Sequence, residues 1–299
     1  LAALSYVAWR LWKEQDTLSL SYLWLRDPAW LALALGLLPF NLGLEAAKWR
    51  CLLRSGGLTC SLTRAMGAVL AGSATGIFTP NRMGDYAGRL LHLPPGHRLW
   101  AAVYTFVSRI AQMAITVLLG AVALLALSQW VSPPPWLAAS YPWWLGAAAS
   151  LGLIGAWGFG WPQQIQRILA RVPLRHALLD RARAALTNLP AKTLRQVWGI
   201  SLLRGSVFAA QYAALLLAFG FEAGLPLALA LVCVTLLIKS LAPSLALSEL
   251  GVRESVALAV MGLAGVQASM IVAATFALFL INLILPALIG LLVIGGRRA

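Results

Sequence analysis

Negative charge is scarce in this chain: Asp and Glu number 9 in 299 residues against 23 Lys and Arg, and charged residues of both signs make up only 11%. A water-soluble domain carries roughly 25%, so a soluble globular fold is excluded. Cysteine and histidine are equally sparse, at three each. Cys51, Cys60 and Cys233 form no CxxC pair, and His92, His97 and His176 form no HExxH. A disulfide scaffold and a zinc site are therefore not indicated, and no metal or cofactor is expected. There is no glycine-rich loop ending in Gly-Lys-Ser/Thr, so nucleotide hydrolysis by this chain is not expected either.

Apolar residues fill the space left by charge. They make up 61% of the chain, with a mean hydropathy of +0.82, and runs of about 20 residues, enough to cross roughly 30 Å of hydrocarbon, recur throughout. Beyond a stub at 1–12, candidate segments are 29–47, 64–79, 100–129, 142–161, 197–220, 225–247 and 255–294. The stub is too short to span alone, which predicts a start trimmed upstream. The last segment is too long for one span; division near Gly262 to Gln267 leaves about 28 residues for a tilted final helix. The expected fold is all-α: a single polytopic membrane domain over 1–299, of about 6 spanning helices and two re-entrant hairpins.

The net charge of +14 sits between apolar runs and not on a soluble module. That excludes nucleic acid as the partner and points to an anionic membrane surface. Lys48, Arg50, Arg54 and Arg64 follow the second segment. The connection 162–196 carries Arg167, Arg171, Arg175, Arg181, Arg183, Lys192 and Arg195 against Asp180. The bias of Lys and Arg places both on the cytoplasmic side, with Arg297 and Arg298. Trp130, Trp136, Trp143 and Trp144 are expected to anchor the outer interface. Ile165, Ile168, Leu169 and Val172 recur at helical spacing, so the connection reads as an amphipathic basic helix on the inner leaflet or as a plain cytoplasmic loop.

Segments 64–79 and 100–129 must both begin inside, so the chain between them has to return to the side it left. A hairpin over 64–92 satisfies this, turning where Pro80 removes a backbone donor and Gly84 permits an unusual dihedral, with Gly72 and Gly76 spaced for close helix packing. Similar reasoning gives a second hairpin over 225–263, broken at Pro243 and Gly251. The chain then divides into half-repeats at about 29–130 and 197–296, an inverted repeat whose site lies near the midplane. Two proline-kinked helices are the alternative.

Charges at membrane depth cost about 2.5–3.5 kcal/mol each on insertion scales, and this sequence places ten there: Glu45, Arg82, Asp85, Arg89, Arg109, Arg204, Lys239, Glu249, Arg253 and Glu254. The pairs Asp85–Arg89 and Glu249–Arg253 are one helical turn apart and so able to neutralise themselves. Arg109 and Arg204 have a competing reading as side chains that snorkel to the interface, and Lys48, Trp49 and Arg50 read as an interface anchor. The basic surplus favours an anionic occupant, and arginine's planar fork suits phosphate.

Three stretches carry a resemblance: EAAKWRCLL from Glu45 to Leu53, TPNRMGDYAGR from Thr79 to Arg89, and APSLALSELGVRES from Ala242 to Ser255. In them the sequence resembles the flippase-like membrane region of lysylphosphatidylglycerol synthases, which also occurs free-standing. Pro80, Arg82, Gly84 and Arg89 match the first hairpin motif, with Asp85 where glutamate is usual. Pro243, Gly251, Val252, Arg253 and Glu254 match the second, with Ser248 and Glu249 in place of glycines. The resemblance implies translocation of a lipid with an anionic or zwitterionic head group. It does not imply aminoacyl transfer, which belongs to a separate soluble domain of those synthases.

The expected function is therefore a lipid translocase of a bacterial inner membrane whose partner is a membrane phospholipid or a polyprenyl-type lipid phosphate. Head-group contacts are expected from Arg82, Asp85, Arg89, Lys239, Glu249, Arg253 and Glu254, with Glu45, Arg50, Arg109 and Arg204 as additional candidates. No catalytic residue is identified. An integral membrane enzyme acting on a lipid phosphate and an assembly partner of a cell-envelope enzyme remain as alternatives, and homo-oligomerisation stays open.

Overall fold

The Asp27 carboxylate caps the first helix by accepting the backbone N–H of Ala29 at 2.9 Å, and Pro28 at the first helical position gives up no needed donor. The computed structural model describes residues 25–79, 82–91, 93–132, 138–160, 183–241 and 248–296, and all regular structure among them is helical. The helices are α1 (Pro28–Ser55), α2 (Leu62–Gly76), α3 (Gly84–Leu90), α4 (Arg98–Leu127), α5 (Tyr141–Gly160), α6 (Ala191–Ala218), α7 (Leu225–Leu241), α8 (Ser248–Leu263), α9 (Ala268–Phe279) and α10 (Leu285–Gly295). A π-helical turn, Leu280–Ile284, joins the last two into one rod.

Four of the described helical rods are long and apolar enough to cross a bilayer: Pro28–Ser55, Arg98–Leu127, Ala191–Ala218 and Ala268–Gly295. The chain is a multi-pass helical membrane protein. The final rod has 28 residues and starts after a break at 264–267, as its length required. The N-terminal stub, most of the basic connection with its periodic apolar residues, Trp136, Pro80, Pro243, Arg297 and Arg298 lie outside the described residues. Trp130, Trp143 and Trp144 are all exposed.

Helix α1 outruns the expected 29–47 segment and continues to Ser55. Charge at Glu45, Lys48, Arg50 and Arg54 lowers hydropathy there without stopping the helix. A polar residue ends an apolar run in sequence, but only a lost backbone hydrogen bond or a left-handed residue ends a helix. Gly56 and Gly57 do so, Gly57 with φ of 80°.

Packing is reciprocal. Helices α1 and α6 lie against each other, joined where Gln211 Nε2 donates to the Ala34 carbonyl at 2.7 Å. Helix α7 packs on α4 at Gly120, where a side chain would collide with Leu237, and α10 packs on α2 at Gly290, where it would collide with the Leu70 carbonyl. Helix α3 folds back on α2. Two apolar cores result. One surrounds Tyr212, Leu215 and Leu231; the other surrounds Trp49, Leu52 and Tyr104. Along α4 and α6 the polar residues Gln112, Thr116 and Arg204 fall between them.

The α2–α3 contact is made of small residues on both sides. Gly72 and Gly76 face Asp85 on α3, while Gly84 and Gly88 face the Thr75 and Ala71 carbonyls. Gly84 thus serves close approach, because its backbone is helical; the left-handed residue in this turn is Arg82, with φ of 54°. The expectation of an unusual dihedral at Gly84 is corrected accordingly. Gly251 is likewise not a turn residue: it lies inside α8 and is buried.

Candidate functional site

Asp85 and Arg89 share one face of α3 as their spacing requires, with Arg89 Nε donating to Asp85 Oδ1 at 2.9 Å and Nη2 to Oδ2 at 3.1 Å. Arg89 does not stop there, since its Nη2 also reaches Glu45 Oε1 on α1 at 2.9 Å. Glu45 in turn holds Lys48 Nζ at 3.0 Å and Arg204 Nη1 at 3.4 Å. Asp85 takes Arg109 Nη2 at 2.8 Å. Four helices meet through two carboxylates and four cations.

Neutral groups complete the network. Gln112 Oε1 accepts from Arg204 at 3.0 Å and Lys48 at 3.4 Å, and its amide donates to the Ser201 carbonyl. Trp49 lies beside the Arg89 guanidinium, 6.0 Å from it, with its indole N–H donating to Thr105. Tyr86 stacks with Arg109 at 4.8 Å. Arg109 also donates to the Arg82 carbonyl at 3.2 Å, which ties the left-handed residue to α4.

This network forms one wall of a cavity of about 540 Å³. Asn41 and Asn282, joined at 2.8 Å, stand on another wall; Asn282 is carried by the π-turn, and Pro286 just beyond it lacks a backbone donor. Arg82 and Arg253 line the same space. A smaller chamber of about 210 Å³ shares Arg82, Gln112, Arg204 and Arg253 with it and adds Lys239 and Cys233. Among the described residues, six basic side chains, Lys48, Arg82, Arg89, Arg109, Arg204 and Arg253, and two acidic ones, Glu45 and Asp85, line the larger cavity. Among the described residues, Arg89 Nη1 has no hydrogen-bond acceptor although Arg89 is only 4% exposed.

The matching family model is the lysylphosphatidylglycerol synthase transmembrane region, which covers residues 1–290. The chain belongs to this family. The match takes in the membrane region alone within these 299 residues. Among curated proteins none matches the chain.

Of the family-motif residues, the structure brings Arg82, Asp85, Arg89 and Arg253 to one cavity, with Lys239 on the adjoining chamber. Glu45, Arg109 and Arg204 join them. Arg109 and Arg204 turn inward to the carboxylates of Asp85 and Glu45, at 2.8 and 3.4 Å, and do not snorkel. Glu254 is buried on α8, 6% exposed, and lines neither cavity. Glu249 is described in its backbone only. Arg50 is half-buried and lines neither cavity.

The interface-anchor reading of Lys48 and Trp49 is overturned, since both side chains are fully buried. Sequence reasoning missed Lys48, Gln112, Asn41 and Asn282 as lining residues. A usable signal existed for the first: Glu45 and Lys48 are three apart, so an acid and a base share a face of an otherwise apolar helix.

Proposed function

We propose that this protein moves a lipid with a phosphate-containing head group between the leaflets of a bacterial inner membrane, the head group passing through the polar cavity while the tails stay in lipid. The observation that carries the reading is the cavity's charge. Among the described lining residues six basic groups stand around two carboxylates, a lining that suits an anionic occupant, and the buried Arg89 Nη1 has no acceptor among the described residues.

The cavity rim supports a path for the tails. Phe106, Ile110 and Met113 line it and are exposed, at spacings of four and three along α4, so an apolar strip runs beside the polar space. The reciprocal packing supports the inverted-repeat reading. Pairing α1 with α6, α2–α3 with α7–α8 and α4 with α9–α10 maps the contact of α7 on α4 onto that of α2 on α10. In this reading both interrupted elements are re-entrant hairpins, the half-repeats are 29–130 and 197–296, and the C-terminus is cytoplasmic.

The test is a leaflet-accessibility assay in proteoliposomes with fluorescently tagged anionic lipids. The native protein should expose the tag to a membrane-impermeant quencher, and Arg253→Ala and Arg89→Ala should slow this at least tenfold while remaining monodisperse. Unchanged movement in both variants would remove the cavity from the pathway.

A further inference from the structure

Arg109 and Arg89 both pair with Asp85, but they are held differently. The Arg89 side chain is 5% exposed and engages both carboxylates of the network; that of Arg109 is 34% exposed and its ion pair is with Asp85. A single nitrogen of Arg109, Nη2, makes the contacts to Asp85 and to the Arg82 carbonyl. Its Nε has no hydrogen-bond acceptor among the described residues, so the fork keeps donors for an anion. Position on α4 adds to this. Phe106 and Met113, three residues before and four after, share its side of the helix. With Ile110 they form the exposed apolar strip at the cavity rim. Gln112 and Thr116, three and seven residues after it, line the polar space. Arg109 thus marks the border between a lipid-facing strip and the cavity. It lies roughly 16 Å along the axis from Arg98, well inside a rod long enough to span the membrane. A partly exposed cation at that depth needs an anion beside it. Tyr86 of α3 stacks on it at 4.8 Å, so the border is also the seam between α3 and α4.

We infer that the cavity is loaded sideways from the bilayer, through a portal between α3 and α4 where Arg109 exchanges the Asp85 carboxylate for the phosphate of an anionic lipid. This rests on the lipid-handling reading above and deepens it by naming the entrance and the contact that closes it. Asp85 serves as a placeholder. When Arg109 lets go, Arg89 still holds that carboxylate at 2.9 and 3.1 Å, so the exchange leaves neither acid nor base unpaired. The guanidinium fork accepts a phosphate as readily as a carboxylate. A zwitterionic head group brings its own cation to the same spot and displaces Asp85 less well.

The experiment reads lipid contact separately from transport. A photo-crosslinking side chain replaces Met113, on the strip but outside the charged network, in nanodiscs holding equal amounts of phosphatidic acid and phosphatidylcholine with the same tails. Leu125, exposed on the same helix, is the control position. Mass spectrometry of the adducts should show phosphatidic acid favoured about tenfold at Met113, the scale of one charge-assisted hydrogen bond, and not at Leu125. Arg109→Gln should erase that preference and Arg109→Lys should keep part of it. Asp85→Asn should raise it severalfold, and the gain should vanish in the double variant with Arg109→Gln. Equal adducts at Met113 and Leu125 would overturn the portal, whether or not Asp85→Asn folds. A gain that survives without Arg109 would reflect general charge and overturn the exchange. Excess inorganic phosphate should leave the preference standing; its loss would mark a site for free phosphate reached from water. If the preference holds while no lipid crosses in the proteoliposome assay, the portal stands and the translocase reading falls. If lipid crosses and Met113 shows no preference, translocation stands and the portal falls.

Discussion

Glu45 contacts three cations, Lys48, Arg89 and Arg204, within 3.4 Å, and its loss would remove the carboxylate that Lys48 and Arg204 pair with and one of the two that hold Arg89. Glu45→Ala should therefore destabilise the protein by about 3–5 kcal/mol, the usual penalty for removing one partner of a buried pair, read as a lowered thermal midpoint in detergent. Arg82 is a different case. A non-glycine residue in the left-handed region costs roughly 1 kcal/mol or more, and Arg82 accepts that cost while lining both chambers. Arg82→Gly should keep the thermal midpoint near its native value and still slow lipid movement at least tenfold, a separation of stability from activity expected of a strained functional residue.

At the scale of elements, glycine decides how closely helices approach. A methyl group at Gly290 would strike the Leu70 carbonyl, and one at Gly88 would strike the Ala71 carbonyl, whereas Gly43 has nothing within 4 Å. Backbone cannot step aside as a side-chain tip can, so Gly290→Ala and Gly88→Ala should each cost about 1–3 kcal/mol. Gly43→Ala should be neutral or stabilising by up to about 1 kcal/mol, because alanine is the better helix former. Thermal midpoints of the three variants, compared side by side, check the contrast.

These elements also mark how far the sequence could be read. Apolar runs located α4 and α5 to within two residues, since hydropathy and helix coincide where no charge intervenes. The Asp85–Arg89 pair and the division of the last rod followed from one turn of helix and from bilayer thickness. The second half of α1 was misread, because sequence shows that Lys48 and Trp49 sit beside a polar run but not that α4 and α6 close over them. The helical state of Gly84 and Gly251 was missed for a similar reason: a glycine a few residues after a proline suggests a turn, and for Gly84 only the partner helix shows that it serves close approach. Asn41 and Asn282, 241 positions apart, carried no local signal at all.

At the scale of the whole molecule, an occupant that binds the folded cavity should hold its walls together. Four helices contribute the charged network, so a ligand there stabilises by linkage, about 2.7 kcal/mol at a hundredfold excess over its dissociation constant. The thermal midpoint should therefore rise with added lipid phosphate and lose that rise in Arg253→Ala.

The surplus of positive charge in the cavity has an electrical consequence. A charge carried across the full membrane feels about 2.3 kcal/mol per 100 mV. Among the described lining residues the larger cavity carries six bases to two acids, so in the proposed translocation cycle any part of these walls that shifts within the membrane field moves charge with it, and an anionic occupant lessens that charge. Membrane potential would then act more on the return of the vacant cavity than on the loaded passage.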